Sequence, residues 1–136
     1  MYIDSNIFIF AVIDQGEDGQ NARKFVELIQ SGKVSAFISP LVLDEVVWKV
    51  QGETDRTTAE SAGRGLIALP FNWLDITYFS ALRALDHYKN GLDPRDALHV
   101  AVMQEYGIDV IISEDSDLDG VKGIERRNLK QALKMK

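Results

Sequence analysis

The residues of this sequence best suited to chemistry are carboxylates. Asp4 ends the short apolar run Tyr2–Asp4, and Asp44 and Glu45 follow Ser39-Pro40 by a few residues. Asp96 lies in D-P-R-D, residues 93–96, and Asp115 and Asp117 lie in E-D-S-D, residues 114–117. Four carboxylates gathered within a few ångströms repel one another, and one or more stays protonated unless a cation neutralises them. An all-oxygen cluster of this kind suits a hard divalent ion, Mg²⁺ or Mn²⁺, better than zinc. Such an ion activates water and stabilises charge on a phosphoryl group.

Each acid also has a plainer role open to it. Asp4 opens Asp-Ser-Asn, three residue types that cap helices well, so it could be an N-cap. On a helical wheel of about 100° per residue, Val42, Leu43, Val46, Val47 and Val50 form one apolar arc. Asp44 and Glu45 both fall outside that arc with Leu41 and Trp48, and periodicity does not choose between them. Asp93 and Asp96 stand three apart, close to a capping box. Against the cap reading, Ala97–Met103 has only His99 as a polar residue, so an acid opens a helix that is apolar nearly all round. His99 follows Asp96 by one turn and could orient it by hydrogen bonding, or be a satisfied core histidine. His87 has no evident partner, and two dispersed histidines give a serine–histidine–acid triad little support. Asp115–Gly120 opens like a calcium loop, but the twelfth position is Arg126 where that loop needs glutamate.

The elements that must position these acids alternate along the chain. Apolar runs at Tyr2–Asp4, Ser35–Ser39, Phe71–Ile76 and Asp109–Ser113 read as strands. A further short run lies near Gly123–Glu125. Helical patterns cover Ile7–Ile13, Gln20–Gln30, Pro40 to about Gln51, Thr77 to about Asn90, Pro94 to Gly107, and a last helix from about Asn128. Residues 52–65 are the most polar stretch and fit an exposed helix or a mobile segment, with partner contact as one use. Strands apolar throughout and separated by helices argue for a parallel sheet covered on both faces. In such sheets a site lies beyond the carboxyl ends of the strands, where strand order switches. The acids sit just there.

Composition sets the outer limits. At 136 residues and 46% hydrophobic content, the chain is expected to form one domain over 1–136 with its own core. It has no cysteine, which excludes disulfides, thiolate-bound zinc, iron–sulfur clusters and thiol nucleophiles. The apolar run Ile7–Ile13 is seven residues and follows Asp4, so neither a membrane span nor a secretory signal is expected, and the default compartment is the cytoplasm. Net charge is −6, divided unevenly. Residues 1–121 hold nine basic and twenty acidic side chains, net −11, and residues 122–136 hold six basic and one acidic, net +5. The acidic body argues against a general nucleic-acid coat but not against an enzyme that acts on nucleic acid through a metal-filled pocket. The basic end reads most simply as a solvated last helix.

Together these motifs resemble the PIN-domain ribonucleases, specifically the VapC type of toxin–antitoxin modules. Y-I-D-S-N at Tyr2–Asn6 is similar to the family's opening element, and S-P-L-V-L-D-E-V at Ser39–Val46 places Glu45 at the family acid. D-A-L-H-V-A at Asp96–Ala101 resembles the third acidic motif. I-S-E-D-S-D-L at Ile112–Leu118, trailed by G-I-E-R-R-N, resembles the last, with Leu118 where phenylalanine is common.

The resemblance implies a three-layer α/β/α fold with a parallel sheet in the order 3-2-1-4-5. It implies a site of Asp4, Glu45, Asp96 and Asp115, with Asp4, Asp96 and Asp115 as metal ligands and Asp117, Ser5, Asn6, Ser113 and His99 as auxiliary residues. It further implies Mg²⁺ or Mn²⁺, an RNA substrate, a homodimer and a small antitoxin partner. Arg95, Arg126, Arg127 and Lys130 are the candidates for phosphate contact. Two other classes compete. A non-catalytic module could keep the fold as a metal- or partner-binding unit, although all four acids are retained. A phosphoacceptor receiver would need an acidic pair after the first strand and an acceptor ending the third, and Asp75-Ile76 fits that poorly.

Overall fold

The computed structural model describes residues 1–135. The first half of the chain runs β1 (Tyr2–Ile3), α1 (Ser5–Ile13), α2 (Glu17–Gln30), β2 (Phe37–Ile38), α3 (Pro40–Glu53), α4 (Arg56–Ile67) and β3 (Asn72–Trp73). The second half runs α5 (Tyr78–Lys89), α6 (Pro94–Glu105), β4 (Val110–Ile112), a 3₁₀ turn (Ser116–Gly120), β5 (Glu125–Arg127) and α7 (Leu129–Leu133). All four strand pairings are parallel and the order is β3-β2-β1-β4-β5, as the resemblance implied.

Strands β1, β2 and β5 are each followed directly by the N-cap residue of the next helix, Asp4, Ser39 and Asn128. Asp4 extends the β1 ladder by one bond, from its N–H to the Ile112 carbonyl at 3.0 Å, and then caps α1. The paired strand residues Tyr2, Ile3, Ile38, Ile111 and Ile112 are fully buried. Ile7, Phe25 and Ile29 from α1 and α2 join them, as do Val42 and Val46 from α3. Burying one such aliphatic side chain contributes about 1.5–3 kcal/mol, enough together to anchor the sheet edge that carries the acids. Helices α1, α2, α3, α4 and α7 pack as one group, while α5 and α6 pack on each other through Ala84, Ala97 and Ala101. After β1 and β2 the chain crosses in one direction, and after β3 it returns past β1 to β4. The switch in strand order therefore falls between β1 and β4.

One open reading is resolved and two local expectations change. The open segment 52–65 folds into α4 over most of its length, where Ala59, Gly63 and Leu66 are buried. The last strand is Glu125–Arg127 rather than Gly123–Glu125. Gly123 has φ +83°, a turn conformation that holds off the strand for two residues. Asp93 and Asp96 form no capping box, since the Asp93 side chain makes no cap hydrogen bond and proline opens α6. No described helix is long and apolar enough to cross a membrane.

Candidate active site

Asp4 is the fixed point. Its position after β1 gives it a helix-capping backbone, and its side chain is 4% exposed. Oδ1 accepts from the Ser5 backbone N–H at 2.8 Å. Oδ2 accepts from Ser113 Oγ at 2.6 Å and from Asn6 Nδ2 at 3.2 Å. Asn6 also spans to the loop after β4, with Nδ2 3.1 Å from Ser113 Oγ and Oδ1 accepting from the Glu114 N–H at 3.3 Å. Ser113 Oγ in turn accepts from the Asp115 N–H at 3.0 Å. Ser5, Asn6 and Ser113 thus tie the switch point together around one carboxylate. Burial pushes the Asp4 pKa above the usual carboxylate range, against the opposing pull of His99 and the Ser113 hydrogen bond.

The choice left open on α3 falls to Glu45, which is half-buried while Asp44 is exposed. Glu45 Oε1 pairs with His99 Nε2 in a short hydrogen bond. His99, 1% exposed, hydrogen-bonds through Nδ1 with the Tyr2 hydroxyl at 2.6 Å. The histidine therefore supports Glu45 rather than Asp96, because its ring turns inward from α6 toward β1 and α3. Burial lowers the His99 pKa, but the hydrogen bond and charge of Glu45, with Asp4 and Asp96, outweigh it and leave the value raised.

Asp96 stands at the start of α6 and lines a cleft of about 520 Å³ with Glu45, Asp93, Pro94, Arg95 and Asp115. Its pKa is raised to about 7, first by burial, then by the charges of Asp4 and Asp115. Asp115 spends Oδ1 on the Asp117 N–H at 2.9 Å, capping the 3₁₀ turn, and Asp117 is exposed at the rim. Donor atoms of Asp4, Glu45 and His99 lie within 4.8 Å of one another, as do those of Asp93, Asp96 and Asp117. The expected ligands Asp4 and Asp96 thus fall into two neighbouring groups, and Asp115 belongs to neither at that spacing. Among the described residues, no lysine or arginine forms an ion pair with Asp4, Asp96 or Asp115. A buried carboxylate facing further carboxylates and no fixed cation fits a hard divalent ion. Both His99 nitrogens are engaged, so the donors left for an ion are oxygens.

The basic candidates separate. Arg95 is exposed and lines the cleft. Arg126 donates to Asp119 at 2.6 and 3.0 Å and to the Ser113 carbonyl at 3.0 Å. Arg127 pairs with Glu125, and Lys130 lies 3.5 Å from Glu17. Sequence reading missed Tyr2 and Ser39, whose oxygens hydrogen-bond at 2.7 Å, and Asp93 at the rim. Ser39 stands at the N-cap position of α3, but it makes no side-chain cap hydrogen bond. His87 does have a partner, Gln104 Oε1 at 2.7 Å.

The chain is similar in sequence and fold to known proteins. The PIN domain family profile matches residues 1–124. A VapC ribonuclease of Mycobacterium bovis is 30% identical over 129 residues, covering 91% of this chain and 96% of the relative. Ribonuclease VapC13 of Mycobacterium tuberculosis gives the same identity and coverage. Among solved structures, M. tuberculosis VapC20, described as a Sarcin-Ricin loop cleaving toxin, superposes with a TM-score of 0.73 at 16% identity, over 90% of this chain and 97% of that one. A DNA-bound VapBC from Salmonella typhimurium matches with a TM-score of 0.70 at 18% identity, over 94% of this chain and 96% of that one. With its sheet order, its strand-end acids and relatives matched over nearly their whole length, the chain belongs to the PIN-domain family and, within it, to the VapC proteins.

Proposed function

We propose that this protein is a metal-dependent endoribonuclease, the toxin of a toxin–antitoxin pair, acting as one nuclease unit over residues 1–136. The observation that carries the reading is the convergence of Asp4, Glu45, Asp96 and Asp115 beside the β1/β4 switch point, with no lysine or arginine ion-paired to them among the described residues. A bound Mg²⁺ or Mn²⁺ supplies an activated water and a counter-charge for the phosphoryl oxygens. The chain's own residues do the placing. Asp4, clamped by Ser5, Asn6 and Ser113, is the rigid ligand, and Asp96 and Asp115 complete the oxygen set directly or through water. Glu45 is held by His99, with Asp93 and Asp117 at the outer rim. Arg95 is the cation placed to meet a phosphate entering the cleft.

The partners follow from the same reading: RNA as substrate, a small antitoxin, and a second copy of the chain, meeting in the cytoplasm. On α5, Tyr78, Phe79, Leu82, Leu85 and Tyr88 are all more than half exposed. Together they form one exposed face of aromatic and aliphatic side chains, the residue types enriched at the buried centre of homodimer interfaces. We assign this face to the second copy.

The test is cleavage of a mixed RNA pool by purified protein in EDTA, Mg²⁺ or Mn²⁺, beside an Asp96→Asn variant of confirmed fold. Ion-dependent cleavage that falls at least about a hundredfold in the variant is the expected result. No cleavage with either ion, in a protein that still binds Mn²⁺, would replace the enzyme with a metal-binding module of the same fold.

A further inference from the structure

We propose that Ser39, Tyr2 and His99 form a buried chain of hydrogen-bond donors that holds the Glu45 carboxylate in its ion-binding posture, with Tyr2 and His99 as positioning residues. The inference rests on the reading of the cleft as an ion site and names what orders one wall of it. Ser39 Oγ lies 2.7 Å from the Tyr2 hydroxyl, which lies 2.6 Å from His99 Nδ1, and His99 Nε2 bonds Glu45 Oε1. Ser39 and Tyr2 are fully buried and His99 is nearly so, and none has an unpaired polar atom.

The terminal carboxylate sets the direction of the chain. An ionised glutamate only accepts, so Nε2 carries a proton and donates it to Glu45. In the neutral ring Nδ1 is then an acceptor, Tyr2 O–H donates to it, and Ser39 O–H donates to Tyr2. If the ring takes a second proton, the bonds among Nδ1, Tyr2 and Ser39 reverse while the one to Glu45 stays the same. The clamp on Glu45 is thus independent of the ring's charge. It leaves Oε2 without a protein partner among the described residues.

Two departures from simpler packing support this assignment. A phenylalanine at position 2 would fill a fully buried strand position without a hydroxyl to satisfy. Ser39 stands at the N-cap of α3 yet withholds its side chain from capping and turns it to Tyr2. Strand β1, the β2–α3 junction and α6 each contribute one link, so the backbone of three elements sets where Glu45 stops. Glu45 itself lies off the apolar arc of α3, and its hydrogen bond among the described residues is the one to His99. Hydrogen-bond partners standing behind a metal ligand typically change ion affinity by about 10–100-fold when removed.

The experiment is calorimetric titration of the EDTA-stripped full chain with Mn²⁺, alongside the ¹⁵N imidazole spectrum. The His99 signals are assigned by a His87→Gln control. Tyr2→Phe is expected to weaken Mn²⁺ binding about tenfold and to move the Nδ1 resonance while Nε2 stays protonated. Ser39→Ala, at the far end, is expected to act in the same direction by about two- to threefold, and it carries the test if Tyr2→Phe fails to fold. His99→Leu should lose about 10–100-fold, and His99→Gln, which keeps an N–H for Glu45, should recover most of that loss. A folded Tyr2→Phe with a displaced Nδ1 resonance and unchanged Mn²⁺ affinity would overturn the relay. Equal losses in His99→Leu and His99→Gln would overturn it too, by reducing His99 to packing. Normal Mn²⁺ uptake indifferent to all four substitutions removes the relay alone. No uptake by the unaltered chain removes the proposed function and the relay with it.

Discussion

Two charged regions lie close together in this molecule and are built in opposite ways. In the cleft beyond β1 and β4, the carboxylates of Asp4, Glu45, Asp96 and Asp115 lie close to one another, and among the described residues none of them forms an ion pair with a lysine or arginine. Around β5 and α7, three of the basic residues are matched: Arg126 with Asp119, Arg127 with Glu125, Lys130 with Glu17. By composition the second region, net +5 over residues 122–136, promises a phosphate track. The structure turns much of that charge toward neighbouring acids. The difference teaches that local excess matters less than pairing. A protein neutralises charge it has no use for, and the group left without a counter-charge is the one that awaits a ligand.

The largest expected effect tests the unpaired side of this contrast. Mn²⁺ at a hundredfold its dissociation constant stabilises a binding protein by about 2.7 kcal/mol. Scanning calorimetry should show a rise in Tm of the unaltered chain under that condition and little or none for Asp4→Asn. An equal rise in both would place the ion elsewhere.

A smaller effect follows from burial of the acids and their repulsion in the ion-free cleft. The folded-state pKa of Asp96 is raised to about 7 from an ordinary value near 3.8, so the folded chain holds a proton that the unfolded chain has already released. Its favourable contribution is fully present below about pH 4 and is lost as pH rises toward 7, and the raised Asp4 adds in the same direction. Thermal melts in EDTA should therefore show this destabilising trend between pH 4 and 7, flattened in Asp96→Asn. A slope the same in both would mean that Asp96 does not hold a raised pKa in the folded chain.

The smallest effect separates the basic candidates. Arg95→Glu should weaken RNA binding and reduce the salt slope by about one, and Lys130→Glu should do neither. Equal effects from both, measured by fluorescence anisotropy across a salt series, would erase the distinction between a cleft arginine and a paired lysine.

The sequence reveals much of this architecture because the strong signals are local. Branched residues at 110–112 form a buried strand, and Asp4-Ser5-Asn6 opens a helix at a strand end. Gly107, at φ +68°, follows the end of α6. Asp4 and Asp115 were legible as acids at or just past strand ends and Asp96 as an acid opening an apolar helix, while Glu45 was separable from Asp44 only through the family resemblance, since both lie off the same apolar arc. What stayed hidden depends on contacts between residues far apart in the chain. Tyr2 and His99 are 97 positions apart and Glu45 and His99 are 54 apart, so no spacing rule connects them. Strand β5 reads E-R-R, without the apolar run that marks the others, and exists because it pairs with β4. The pairing of Arg126 with Asp119 likewise needs the 3₁₀ turn folded back on the sheet edge.

The most direct measurement is a crystal of the full chain soaked in Mn²⁺, with diffraction collected for manganese anomalous scattering. The expected result is a peak in the cleft among the carboxylates of Asp4, Glu45, Asp96 and Asp115, absent from Asp4→Asn crystals grown alike. A soaked crystal with no peak there, or with a peak that persists in the variant, would contradict the claim that these uncompensated acids form an ion site.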